Sequence, residues 1–318
     1  MKKFYLSAQA LIRKCLEIKR DENVLILYHT PYRDYANIIH EESIKRAPRT
    51  FQLHIPENLE KLDIVDQISP FMKSMDVIIA LTNKSISFWN ARILANQNGA
   101  RIICLPNISR PAFEQLGKTN FKRIYHLSQK ISDILSISKI ADVTSANGTH
   151  LRIPITTHQA HAETGLTNKP GQYSLLPAGE ACIMPELDEC EGELVVDSGM
   201  EYTQDDPDKL VVQIKGGRAV RITGGVSAKK LRQKLTRLGP NSRNIFEFGI
   251  GTNETAGNTG NPIEDQKVLG NVHISLGDYA ASRDLNTPLQ HIHGVVYKAT
   301  VQVRGKKIID NGKLMLEV

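Results

Sequence analysis

The chain has 318 residues, enough for two domains or one large one. Hydrophobic content of 41% and charged content of 23% are those of a soluble globular protein, and no run of eighteen apolar residues is present, so no membrane span is expected. The net charge of +6 comes from scattered basic residues with no nucleic-acid motif, which argues against a nucleic-acid partner.

The opening segment, MKKFYLSAQALIRKCLEIKRDEN, is basic but lacks an apolar core long enough for a secretion signal. It reads as an amphipathic helix with Leu6, Ala10, Leu11, Lys14 and Ile18 on one side. Cys15, Cys104, Cys182 and Cys190 form no CxxC pair, so reduced thiols in the cytoplasm are expected. Short apolar runs then alternate with helical patterns. Strands are predicted at Asn23–Tyr28, Thr50–Ile55, Asp76–Leu81 and Arg101–Leu105. Helices are predicted at Tyr35–Ala47, Ser85–Asn98 and over most of Pro111–Ser138. This order implies an α/β N-terminal domain, residues 1–140, with a parallel sheet and flanking helices. No GxxxxGK[ST] or GxGxxG follows a strand, so a nucleotide-binding reading fails.

From Ala141 onward Gly, Thr and Asn become frequent. Asn147-Gly148 reads as a hairpin turn, Thr149–Ile155 alternates, and Glu193–Val196, Leu210–Ile214 and Ala219–Ile222 are short strand candidates. Ser227–Leu238 is the one clear helix; its Lys229, Lys230, Arg232, Lys234 and Arg237 read as a solvated face. Residues 141–318 therefore read as a β-rich α+β C-terminal domain.

Three strand-like segments there carry metal-type side chains: Glu247 in NIFEFGI, His273 in GNVHISLG, and His291 with His293 in QHIHGVV. Successive strand side chains point to opposite faces, so His291 and His293 share one. Two imidazoles on one face, with a third imidazole and a carboxylate from other strands, are enough to hold a divalent metal. A lone His-x-His in a strand is more often a polar face. A Glu within an apolar strand is harder to dismiss, because an unpartnered buried charge is costly. His158 and His161, in the polar stretch HQAH, read as loop residues near the pocket.

Five phrases in register resemble the aminopeptidase T (M29-like, thermophilic leucyl aminopeptidase) metallopeptidases: SANGTHLRI, LPAGEACIMPELDECEGELVVD, NIFEFGIGTN, IEDQKVLGNVHISLGD and HIHGVV, spanning residues 145–296. A sister group, the 2,5-dihydroxypyridine 5,6-dioxygenases, uses one non-haem iron. The resemblance implies metal ligation by Glu180, Glu247, His273 and His291, with His293 standing where relatives usually have aspartate. It also makes Tyr279 the candidate for a residue after the VHIxLG phrase, and it implies a homodimer. A neutral imidazole binds one cation through one nitrogen, whereas aspartate can bridge two, so His293 shifts the expectation towards a single metal.

Three functions follow as expectations. The first is a hydrolase that removes N-terminal residues from peptides with metal-activated water, using Zn, Co or Mn, with Glu180 as general base and Tyr279 on the oxyanion. The second is a mononuclear Fe(II) dioxygenase that cleaves a small hydroxylated ring. The third is a descendant that binds a peptide or small molecule without catalysis.

Overall fold

The computed structural model describes residues 1–56, 62–87, 89–278 and 291–317. By packing, the chain divides into two units: Met1–Lys122 with Thr164–Ala178, and Arg123–Glu163 with Gly179–Val318. This division differs from a cut at residue 140, for two reasons that periodicity does not carry. The helix Phe121–Ser136 sends Leu127, Ile131 and Leu135 into the core of the second unit. The short strand Tyr173–Leu175 returns to pair in parallel with Arg101–Cys104 of the first.

In the first unit a five-stranded parallel sheet runs in the order Thr50–His54, Val24–Tyr28, Val77–Leu81, Arg101–Cys104, Tyr173–Leu175. Its central strands are buried at every position. Val24, Ile26, Val77 and Ile79 enter one apolar cluster, while Leu25, Leu27, Ile78 and Ala80 enter another. A strand covered on both faces has no use for polar alternation, which is why VLILY and VIIAL are continuous apolar runs.

Several helices differ from their sequence expectation. The helix predicted at Ser85–Asn98 starts only at Asn90. Before it, the Ser85 hydroxyl accepts the Ser87 N–H at 3.2 Å, a local bond that competes with helix formation. Pro111–Ser138 splits into Arg110–Leu116 and Phe121–Ser136. The helix Leu62–Lys73, with Pro70 inside it, is not among the elements the sequence predicts. In the opening helix Lys2–Ala10, Leu6 is exposed, and the buried side is Ser7, Ala8, Ala10, Leu11, Ile12 and Cys15. A π-helical turn at Leu11–Cys15 rotates the register away from the ideal spacing.

The second unit holds two antiparallel sheets. One has eight strands, built largely from Ile140–Thr144, His150–Pro154, Glu191–Val196, Leu210–Lys215, Arg218–Thr223 and Thr300–Val303. The other has six, in the order Ser198–Gly199, Ile292–Val296, Val272–Leu276, Ile245–Gly251, Glu180–Ile183, His161–Glu163. One apolar core draws on both sheets and on the helix Gly225–Leu238, which contributes Ala228, Leu231 and Leu235. The basic residues Lys229, Lys230, Arg232 and Arg237 of that helix are exposed, as its charge pattern implies. All four cysteines are unpaired. Among the described residues no helix is long and apolar enough to cross a membrane.

Candidate metal centre

The six-stranded sheet is two-sided. Ala181, Ile183, Phe248, Ile250, Val272, Ile274, Leu276, Ile292 and Val296 belong to the apolar core. The alternate positions form the other face, and the antiparallel register aligns them in rows. Glu247 opposes Ser275, and Ser275 opposes His293. Gly249 opposes both His273 and Cys182; Glu180 opposes Gly251 and Glu163. A bulge between Ile245 and Glu247 lets Ile245 and Phe248 both face the core while Glu247 joins the polar row.

Three of the sequence-predicted residues meet at one point. One donor atom from each of Glu247, His273 and His293 lies within 4.8 Å of the others. His273 Nε2 is 3.0 Å from Glu247 Oε1, the spacing of neighbouring donors that each reach one ion at ~2.1 Å. The rings of His273 and His293 are 5.8 Å apart. His273 is fully buried, and its ring lies directly over Gly249: a Cβ there would come 2.0 Å from Cε1. The glycine of FEFGI is therefore the floor that admits the imidazole. His293 is fixed from behind by Ser275, whose Oγ is 2.8 Å from Nδ1.

Two others stand beside this group rather than in it. The His291 ring packs on Phe246, with centroids 3.9 Å apart, and lies nearly parallel to His293 at 6.0 Å. Glu180 is taken up by Lys267, an ammonium with no exposed surface that sits 2.6 Å from Glu180 Oε1 and 2.5 Å from Glu163 Oε2. Glu180 Oε2 points at His273 Nδ1 from 3.7 Å, too far for a hydrogen bond. Neither of those two atoms has a hydrogen-bond partner among the described residues. Tyr279 lies outside the described residues. His161 is an exposed residue on the edge strand next to Glu163, and His158 is half-buried near Glu186.

The electrostatics suit cation binding. Burial opposes ionisation of Glu247, but the His273 hydrogen bond and the charges of His273, His293 and His291 outweigh it and hold its carboxyl at about 2. Burial, with His273 next to it, pushes the His293 imidazole down to about 3, so it is neutral with a free lone pair at neutral pH. For His273 burial acts downwards, but the Glu180 charge and the Glu247 hydrogen bond and charge prevail, and its pKa is raised. Burial would raise Glu180; the Lys267 ammonium and His273 lower it overall.

Two imidazoles and one carboxylate are a donor set for one divalent ion, with His293 neutral, Glu247 anionic and His273 the one that has a proton to give up. The sequence pointed to Glu247, His273 and His293 because each is polar within an apolar strand. It did not single out Lys267, Glu163 or Ser275. The alternation in VHISL contained the signal for Ser275; a lysine in the short connection before that strand has no pattern of its own.

A family model for NicX, described as 2,5-dihydroxypyridine 5,6-dioxygenase, matches residues 36–316. Among solved structures, the fold is similar to that of 2,5-dihydroxypyridine dioxygenase from Pseudomonas putida KT2440, at a TM-score of 0.81 and 16% identity over 99% of this chain and 97% of that one. It is also similar to wild-type AmpT from Thermus thermophilus, at a TM-score of 0.72 and 13% identity over 99% of both chains. Both likenesses are of fold, and they bear out the α/β plus β-rich architecture. No curated protein matches the sequence.

Proposed function

This chain belongs to the 2,5-dihydroxypyridine 5,6-dioxygenase (NicX) family, and on that premise we propose that it is a mononuclear non-haem iron enzyme that opens a small hydroxylated aromatic ring with dioxygen. The observation that carries the reading is the donor set itself: Glu247, His273 and His293 converge, while Glu180 has one oxygen on Lys267 and the other behind the His273 ring. Glu247, His273 and His293 would hold Fe(II), which would supply the dioxygen chemistry.

The protein's own groups do the rest. His293 is neutral and Glu247 charged, so His273 is the one residue of the three that would have a proton to release on holding an ion. Glu180, kept anionic by the buried ammonium, faces the far nitrogen of His273, the place from which a carboxylate orients a ligating imidazole. Glu247 and His293 are the partly exposed ligands, Glu247 with 24% of its side chain exposed against none for His273, so substrate approaches from the side of these two.

A second reading, hydrolysis at a peptide N-terminus with Zn, Co or Mn, is favoured by the five phrases quoted above and by the fold shared with AmpT. It calls for carboxylates that bridge two ions. Here a histidine occupies 293, and Glu180 is paired with Lys267.

The test is oxygen uptake by Fe(II)-reconstituted protein with dihydroxypyridines and catechols, and its loss in His273→Ala. No uptake across that panel, together with release of N-terminal residues from aminoacyl-arylamides, would replace the oxygenase by the hydrolase.

A further inference from the structure

Ser275 is the middle member of the row Glu247–Ser275–His293, directly opposite one metal-type residue on each neighbouring strand. It has no exposed surface. Its Oγ is 2.8 Å from His293 Nδ1, a full-strength hydrogen bond. An imidazole with one nitrogen so engaged has two states. If the hydroxyl accepts from Nδ1–H, the lone pair is on Nε2 and the ring can ligate through it. If the hydroxyl donates to Nδ1, Nε2 carries the proton and cannot ligate.

We propose that Ser275 is a positioning residue that fixes His293 as the Nδ1–H tautomer and so makes Nε2 a ligand of the single ion. The assignment rests on the single-ion reading above for its consequence, but on the Ser275–His293 geometry for its substance. A partner behind the ring also removes the rotational freedom that a half-buried imidazole on a sheet face otherwise keeps. Serine suits the position for a second reason. Its side chain is short enough to lie beneath the space between Glu247 and His293, where a longer polar group would enter the metal site itself. Among the described residues His273 has no such hydroxyl behind it; its far nitrogen faces Glu180 at 3.7 Å. At the nitrogen turned away from the ion the two imidazoles therefore differ: His293 has a neutral hydroxyl at hydrogen-bond distance, and His273 has a carboxylate at 3.7 Å.

The experiment uses the full chain, with Zn²⁺ and Co²⁺ as probes in chelator competition. Ser275→Ala weakens binding about 10- to 100-fold, the usual effect of losing a partner behind a ligating histidine. Ser275→Thr, which restores the hydroxyl, binds as the parent does. In a His293→Ala background, Ser275→Ala causes no further loss. ¹⁵N long-range correlation spectra of the metal-free protein show His293 as the Nδ1–H tautomer, and as a mixture in Ser275→Ala. Affinity unchanged in Ser275→Ala, equal loss in both backgrounds, or an Nε2–H tautomer in the parent would each overturn the assignment. If the parent binds neither ion while its spectra show the Ser275-dependent Nδ1–H tautomer, the single-ion reading falls and takes the ligand role of Nε2 with it, while the tautomer assignment stands.

Discussion

The parallel sheet of the first unit and the six-stranded sheet of the second solve burial in opposite ways. Val24–Tyr28 and Val77–Leu81 are apolar on both faces, so every residue serves packing and none is free for chemistry. Ile245–Gly251, Val272–Leu276 and Ile292–Val296 are apolar on one face only, and the other collects Glu247, His273, Ser275 and His293. The difference lies in what the second face costs. A polar side chain there must be matched by another, because water does not reach most of it. The matching is done by Lys267 between two carboxylates, by Ser275 behind His293, and by Glu247 against His273.

The contrast can be broken most severely at Lys267. Lys267→Met leaves Glu163 and Glu180 buried without their cation, and should cost about 3–5 kcal/mol in chemical denaturation, the penalty of an uncompensated buried charge. On the other side of the comparison, Ile79→Ala in the first unit should cost about 2–5 kcal/mol as a pure cavity, and should leave metal affinity as it was. A loss of metal binding in that variant would dissolve the division of labour between the sheets. Gly249→Ala should cost about 1–3 kcal/mol, because the new methyl meets the His273 ring. Unlike Ile79→Ala, it should also weaken metal binding, since the ring it displaces carries a ligand.

The smallest effect is on pH dependence. In metal-free protein His293 has its pKa depressed from 6.5 to about 3. Between those values the unfolded state binds a proton that the folded state does not, so His293 lowers stability as pH falls from 6.5 towards 3 and has no such effect above 6.5. Replacing it in His293→Gln should flatten that acid limb in denaturation curves taken with chelator present. An unchanged slope would mean that the imidazole is not held neutral on the sheet.

What the sequence made legible follows from the same physics. Continuous apolar runs give away the doubly covered strands, and a lone Glu or His in an apolar strand gives away the polar face, so Glu247, His273, His291 and His293 all read as candidates and the sequence does not separate His291 from the three that converge. Lys267 could not, because the partners that explain it lie far off in the chain; Glu163 is 104 residues away. Glu180 was legible as a buried carboxylate but not as the partner of an ammonium, so ligation was the natural expectation for it. The strand Tyr173–Leu175 is not legible as a member of the parallel sheet for a similar reason: its pairing with Arg101–Cys104 is long-range and leaves no periodic trace. Family resemblance added the registration of the site phrases, and the family model then placed the chain with the dioxygenase group that the phrases had suggested as a sister.

The central claim is that one divalent ion is gripped by Glu247, His273 and His293. Metal content of the purified, anaerobically Fe(II)-loaded chain by mass spectrometry tests it most directly. The account predicts one equivalent per chain, lost in His273→Ala; two equivalents, or one that survives His273→Ala, would contradict it.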